Sequence, residues 1–181
     1  KLRQVFENAP VGVAIMDGRK IQFVNKTIQD MLGYSVTELI NQDAKILYQD
    51  NTEYERVGKI KFSQLQATGN AEIETQFKTK QGKIIDVFLK SAWVEFTSSH
   101  KVIVTTVLDI TRRKESQNAL AESEERFQMM FRHMNSGVAV YQVVNEGEDF
   151  KFLNFNKSAE RITRVKKEEV VGRTLLEKFP N

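Results

Sequence analysis

The stretch "VTTVLDITRRKESQNAL", Val104 to Leu120, changes character halfway along. Its first half alternates and is rich in β-branched residues, which favours a strand; its second half is rich in Arg, Lys, Glu, Gln and Ala, which favours a helix. The chain therefore leaves a sheet at Asp109-Ile110-Thr111 and runs directly into a long polar helix. The residues upstream say what kind of sheet this is. "KIIDVFLKSAWVEF" and "KVIVTTVLDI" read as two long strands joined by the polar loop "TSSH". Before them, "NAEIETQFKT" alternates cleanly, with Ile73, Thr75 and Phe77 on one side and Glu72, Glu74, Gln76 and Lys78 on the other. Lys80-Gln81-Gly82 marks the turn that follows.

Further upstream, "VGVAIMDG" and "KIQFVN" are strand-like runs separated by Asp17-Gly18, a hairpin signal. Asn25 is placed to cap "NKTIQDMLGY", which Gly33 closes, and Ser35 with Glu38 has capping-box spacing. "DAKILYQD" makes a short apolar turn. "TEYERVGKIKFSQLQATG" then carries Tyr54, Gly58, Phe62 and Leu65 on one helical face, with Val57 beside them. The opening "LRQVFENA" is a short amphipathic helix stopped by Pro10. Two strands, several short helices and three antiparallel strands imply an α+β fold: a five-stranded antiparallel sheet with short helices on one face.

Composition sets limits on function. The 181 residues are 40% hydrophobic and 28% charged, ordinary values for a globular chain. The net charge of +3 comes from 27 basic and 24 acidic residues spread throughout, without the basic stripe that nucleic-acid binding requires. There is no cysteine, which excludes disulfides and thiolate metal sites and fits a reducing, cytoplasmic setting. No apolar run reaches the roughly 18 residues of a membrane span, although a parent protein anchored by another segment is compatible with this.

The chain also repeats itself. "FENAPVGVAIM" from Phe6 matches "FRHMNSGVAVY" from Phe131, and "FVNKTIQDML" from Phe23 matches "NFNKSAERIT" from Asn154 after an insertion around "NEGEDF". Gly12 thus pairs with Gly137, Asn25 with Asn156, Leu39 with Val170 and Tyr48 with Phe179. The second copy stops where the long helix and three strands of the first begin. The expectation is a fragment of a longer protein, its second unit partly disordered or completed by another chain. The boundaries expected are an N-terminal helix over 1–10, a first domain over 11–111, a linker helix over 112–134 and a truncated second domain over 135–181.

"FENAPVGVAIMD", "IQFVNKTIQDMLGYSVTEL", "KTKQGKIIDVFL" and above all "VLDITRRK" resemble a PAS domain with its C-terminal PAC motif. The tail from about Phe127, with "SGVAVY" and "FNKSAERI", resembles the first half of a second one. The resemblance implies a module that senses or relays signals within a multi-domain protein, in bacteria typically a sensor histidine kinase or a cyclic-dinucleotide enzyme such as a diguanylate cyclase. It implies further that the Asp-Ile-Thr triplet couples the last strand to the outgoing helix, through Asp109, Thr111 and Arg112. The same residues also read as a helix cap with Arg112 and Arg113 merely solvated.

Family members use several cofactors, and the residues for them are not in place. Covalent flavin and chromophore sites need a cysteine; haem members use a histidine on the long helix, which here has none. The aromatic expected for a redox flavin at the start of the third strand is replaced by "NAEIE". The expectation is therefore no cofactor, no metal and no catalytic residue. What remains is an apolar pocket between sheet and helices, with Phe23, Met31, Tyr48, Phe62 and Trp93 as its candidate lining, or else an ordinary core built from the same residues.

Leu120, Phe127 and Met134 are spaced by sevens along the linker and, with Leu2, Val5 and Phe6 of the first helix, make apolar stripes suited to a homodimer. Phe127, Met130 and Phe131 serve equally to cover the second unit's sheet. The expected partners are a second copy, a small-molecule ligand and an output domain in the same chain, with nucleic acid excluded. Two readings stand: a sensory or relay module, and a ligand-free dimerisation and spacer module.

Overall fold

The computed structural model describes residues 2–97 and 100–179, apart from the side chains of Leu2, Arg3, Phe96, Thr97 and His100. The chain divides between Ser116 and Gln117 into two compact units. The proposed dimer contact at Leu2 and the loop residues Ser98 and Ser99 lie outside the described residues.

In the first unit, helix α1 (Leu2–Glu7) precedes strands β1 (Gly12–Asp17) and β2 (Lys20–Val24). Helices α2 (Lys26–Leu32) and α3 (Val36–Leu39), a 3-10 helix (Ala44–Leu47) and the long α4 (Asn51–Thr68) follow. Strands β3 (Asn70–Lys78), β4 (Ile84–Thr97) and β5 (His100–Asp109) complete one antiparallel sheet in the order β2-β1-β5-β4-β3. This is the α+β architecture that the grouping of strands implies.

Local chemistry sets the boundaries. Asp50 accepts the Glu53 N–H at 2.9 Å to cap α4, and Gly69 ends it in the left-handed region at φ 78°. On β3, Ala71, Ile73, Thr75 and Phe77 are buried and the residues between them exposed, as period-two alternation requires. The β1–β2 turn is displaced by one residue from the Asp17-Gly18 expected: Asp17 still pairs with Lys20, so Gly18 and Arg19 form the turn. That shift matters because it carries Arg19 against α4.

Strand β2 also breaks its own alternation. The register slips between Ile15 and Met16, so that Ile15 faces Phe23 but Met16 faces Ile21. This bulge puts both Ile21 and Val24 in the core, at 1% and 2% exposure, and turns Phe23 away from it. Phe23 packs instead on Phe6 of α1, with ring centroids 4.8 Å apart.

The core between sheet and helices gathers Ile28 and Leu32 of α2, Leu39 of α3, Tyr54, Val57 and Leu65 of α4, and Ile73, Val87, Leu89, Ile103 and Val107 of the sheet.

Helix α5 (Thr111–His133) spans the division. The second unit pairs β6 (Ala139–Val144) with β7 (Asp149–Phe155) and adds α6 (Lys157–Thr163), α7 (Lys167–Val170) and α8 (Leu175–Lys178). Its small core is Phe152, Phe155, Ala159 and Val170. The repeat is visible atom by atom. Asn25 Oδ1 accepts the N–H groups of Val13 and Ile28, and its Nδ2 donates to the Val11 carbonyl. Asn156 Oδ1 accepts from Val138 and Ala159, and its Nδ2 donates to the Ser136 carbonyl. Leu39 and Val170, paired by sequence, are both at 0% exposure. A Cβ on Gly12 would meet Ile28 Cδ1 at 2.5 Å, and one on Gly137 would meet Ala159 Cα at 3.1 Å. Each glycine lets a helix of its own copy pack close against the backbone there. The copies part company at Tyr48 and Phe179: the first is buried, the second 46% exposed.

Candidate functional site

Two adjoining cavities lie in the first unit. One, of about 40 Å³, is lined by Ala14, Ile21, Ile28, Leu89 and Val107 among others; the second, of about 30 Å³, lies beside Arg19, Tyr54, Gly58 and Phe62. Met16, Ala44, Tyr48 and Lys61 line both. Of the five residues expected in a pocket, Tyr48 and Phe62 are there. Phe23 is on the other face of the bulged strand, which overturns its assignment to the lining. Met31 and Trp93 are half-buried against the core, but neither lines these two cavities. Ile28, one turn earlier on α2, takes the place expected of Met31. Trp93 sits toward the far end of β4, where its backbone N–H donates to the Gly69 carbonyl.

The polar edge of this site is built by Arg19. Its guanidinium bonds Glu55 through two contacts, at 2.9 and 3.1 Å, and lies 4.2 Å from the centre of the Tyr54 ring. It reaches this position because residue 58 is glycine: a Cβ there would lie 2.0 Å from an Arg19 nitrogen. Next to it, Glu53 accepts from Arg56 and from the Thr75 hydroxyl, and the Arg56 guanidinium holds its carboxyl down to about 2. Burial pushes the Tyr48 hydroxyl up, with Glu53 adding to the effect, so it remains a neutral phenol. Burial also pushes the Lys61 ammonium down to about 8, reinforced by the like charge of Arg19.

One strand joins this site to the outgoing helix. Val107 of β5 lines the larger cavity, and Asp109 ends the same strand two residues later. Asp109 Oδ1 accepts the Thr111 N–H at 2.8 Å. The Thr111 hydroxyl does not cap its own helix. It accepts the Asp86 N–H on β4 at 2.9 Å and donates to the Asp86 carbonyl at 3.4 Å, and that carbonyl also accepts the Ile110 N–H at 2.9 Å. One turn further on, Lys114 Nζ reaches Glu74 at 2.9 Å and Asp86 at 3.4 Å. Arg112 is exposed, and its carbonyl accepts the Ser116 hydroxyl. Alternation in the sequence places Glu72 and Glu74 on the polar side of β3. In the structure Glu72 pairs with Lys90, while Glu74 and Asp86 hold α5 through Lys114.

The stripe expected to carry a dimer is exposed along α5. Leu120, Phe127 and Met134 are 62%, 51% and 46% exposed, and Val5 of α1 is 72% exposed. Phe6 is engaged by Phe23 within the unit, and Phe131 is buried while stacking on Phe127.

Among the described residues, no three His, Asp or Glu side chains gather closely enough to hold a metal ion. Among the same residues, no helix is long and apolar enough to cross a membrane.

Comparisons with known proteins agree with this fold. No curated protein sequence matches the chain. Solved structures do. A PAS domain of a LuxR-family transcriptional regulator from Burkholderia thailandensis, described in complex with ethanol, is 21% identical with a TM-score of 0.56. The match covers 61% of this chain and 97% of that one. A PAS domain from Colwellia psychrerythraea is 18% identical with a TM-score of 0.57, covering 61% and 95%. One from a two-component sensor histidine kinase is 15% identical with a TM-score of 0.52, covering 60% and 92%. At these identities the likeness is one of fold. The sequence profile of the PAS domain matches residues 1–64 and again 125–181, most of the chain and both copies of the repeat. The chain belongs to the PAS domain family.

Proposed function

We propose that the first unit is a sensory or relay module whose cavity state reaches α5 through Asp109 and Thr111. The observation that carries this reading is the continuity of β5: Val107 faces the cavity, and the strand ends at a junction where Thr111 and Lys114 fasten the helix to Asp86. A small change in strand position acts on α5 through those contacts, provided that the helix has two packed arrangements. The domain plan that goes with it is a first PAS domain over 11–111, a linker helix over 112–134 and a second PAS domain beginning at 135. The parent is a signalling protein of the histidine kinase or cyclic-dinucleotide class, and its catalytic work belongs to an output domain. The similar domain from a sensor histidine kinase supports that class, and the domain described with ethanol supports a ligand of few atoms. A second copy of the chain completes the module by covering Leu120, Phe127 and Met134, since symmetric pairing buries such stripes.

A second reading is a ligand-free dimerisation and spacer module. It is favoured by the size of the cavity, about 40 Å³, against the roughly 300 Å³ or more of a drug-sized site. Native mass spectrometry of the purified chain, followed by solvent extraction, separates the two. A stoichiometric small molecule supports sensing; a chain that carries none and takes up none from cell extract supports the spacer.

A further inference from the structure

We infer that the paired cavities form a receptor for a small monocarboxylate, its charged end at Lys61 and its apolar end among Ala14, Ile21, Leu89 and Val107. The inference rests on the sensory reading of this cavity and names the ligand class.

The buried residues of α4 are Tyr54, Val57, Gly58 and Leu65. Lys61 falls on the same stripe, three residues after Gly58 and four before Leu65, so the helix sets it, half-buried, against the core. Accordingly it lines both cavities. A lysine at such a position ordinarily has a carboxylate opposite. Here the carboxylates nearby are committed elsewhere: Glu55 to Arg19, Glu53 to Arg56 and Thr75, and Asp43 to the Lys45 N–H. Among the described residues, Lys61 has no hydrogen bond or ion pair, and the charge that bears on it is that of Arg19, of the same sign. An apolar chamber with one uncompensated cation lacks one negative charge.

The rest of the chamber narrows the class. Arg19 is already held by two bonds from Glu55, so a single cation is left to be met, and one negative charge meets it. The remaining walls are apolar except for Tyr48 and for the Thr105 hydroxyl, which is bonded to Ser91 at 2.9 Å. Taken together, the volumes of about 40 and 30 Å³ admit about five to seven heavy atoms, at about 10–15 Å³ for each water-sized group. Propionate has that size. The titratable or charged groups around Lys61 are Arg19 from the β1–β2 turn, Tyr48 after the 3-10 helix and Tyr54 on α4; the strands contribute none. Burial pushes both tyrosines up and Arg19 stays charged, so Lys61 alone changes charge near pH 8. Carboxylate affinity is therefore full below that pH and is lost as the pH rises through it.

Isothermal titration of the whole chain with propionate and with propionamide, which matches it in size without the charge, tests this. At pH 7 propionate should bind at least about tenfold more tightly, as a charge-assisted bond to a partly desolvated ammonium requires. That advantage should shrink at pH 9 and vanish in Lys61→Met, with a thermal melt confirming that the variant is folded. Equal binding of the two probes would overturn the carboxylate assignment and leave the sensory reading standing. Binding of neither at millimolar concentration would also overturn it, and the extraction experiment would then judge the sensory reading separately.

Discussion

Replacing Thr111 with Val removes one hydroxyl and keeps the shape of the side chain. Val and Thr have similar helix propensity, so any cost comes from the contact with β4 and not from α5 itself. The hydroxyl accepts the Asp86 N–H at 2.9 Å and donates to the Asp86 carbonyl at 3.4 Å. The second contact is long and weak, and the carbonyl keeps its bond from the Ile110 N–H at 2.9 Å. The N–H has no such replacement. A buried donor left unpaired costs about 1–3 kcal/mol, and because Asp86 is only half-buried the lower part of that range applies, about 1–2 kcal/mol. That amounts to a factor of roughly 5–30 in local opening. Native-state hydrogen exchange at the Asp86 amide reads it directly, with the amides of the distant β1–β2 hairpin as an internal reference. Thr111→Ser, which retains the hydroxyl, should leave the rate close to that of the parent chain. Unchanged exchange at Asp86 in Thr111→Val would refute the claim that this hydroxyl fastens the helix to the sheet. By contrast, Asp109→Ala loses a bond to the first N–H of α5, and should cost about 0.5–2 kcal/mol, the range of a cap.

Three further outcomes follow from the same geometry. Asn25→Ala strands the N–H groups of Val13 and Ile28 and the carbonyls of Phe6 and Val11, and should cost at least about 2 kcal/mol in chemical denaturation, with Asn156→Ala acting in the same way on the second unit. Glu53 has its carboxyl held at about 2, below the ordinary 4.5; its stabilising contribution is complete above pH 4.5 and is lost as the pH falls toward 2, so acid titration of Glu53→Gln should show a flatter decline than that of the parent. Analytical ultracentrifugation should show concentration-dependent dimerisation that Phe127→Glu weakens, and a monomer at every concentration would remove the second copy from the account.

How legible these features are in the sequence depends on how local their causes are. The alternation of β3, the Asn25 cap and the repeat of Gly12 and Asn25 at Gly137 and Asn156 are patterns within a few residues, and the structure carries them. Phe23 is misread because a one-residue bulge in β2 reverses its face, and period-two counting has no means of seeing a bulge. Lys114 meets Glu74 and Asp86 across sequence gaps much longer than a helical turn, so no spacing announces the contact. Arg19 beneath α4 depends on the missing side chain of Gly58, far along the chain. Lys61 left a trace: it sits in register with Gly58 and Leu65 on a stripe that is otherwise buried. Charge alone hides it, since a lysine on a helix is ordinarily assigned to solvent.

In the proposed relay, the state of the cavity is felt at the junction with α5. Ala14 lines the cavity on β1 and pairs across the ladder with Thr105 of β5. Ala14→Leu fills the space from inside, standing in for an occupant, at an overpacking cost of about 1–3 kcal/mol. The measurement is native-state hydrogen exchange at the amides of Asp86, Ile110 and Lys114, compared with amides of α3, which has no part in the junction. If the relay operates, the three junction amides change their exchange rates while those of α3 do not. Junction amides that exchange as in the parent chain, in a variant whose cavity is filled, would contradict it.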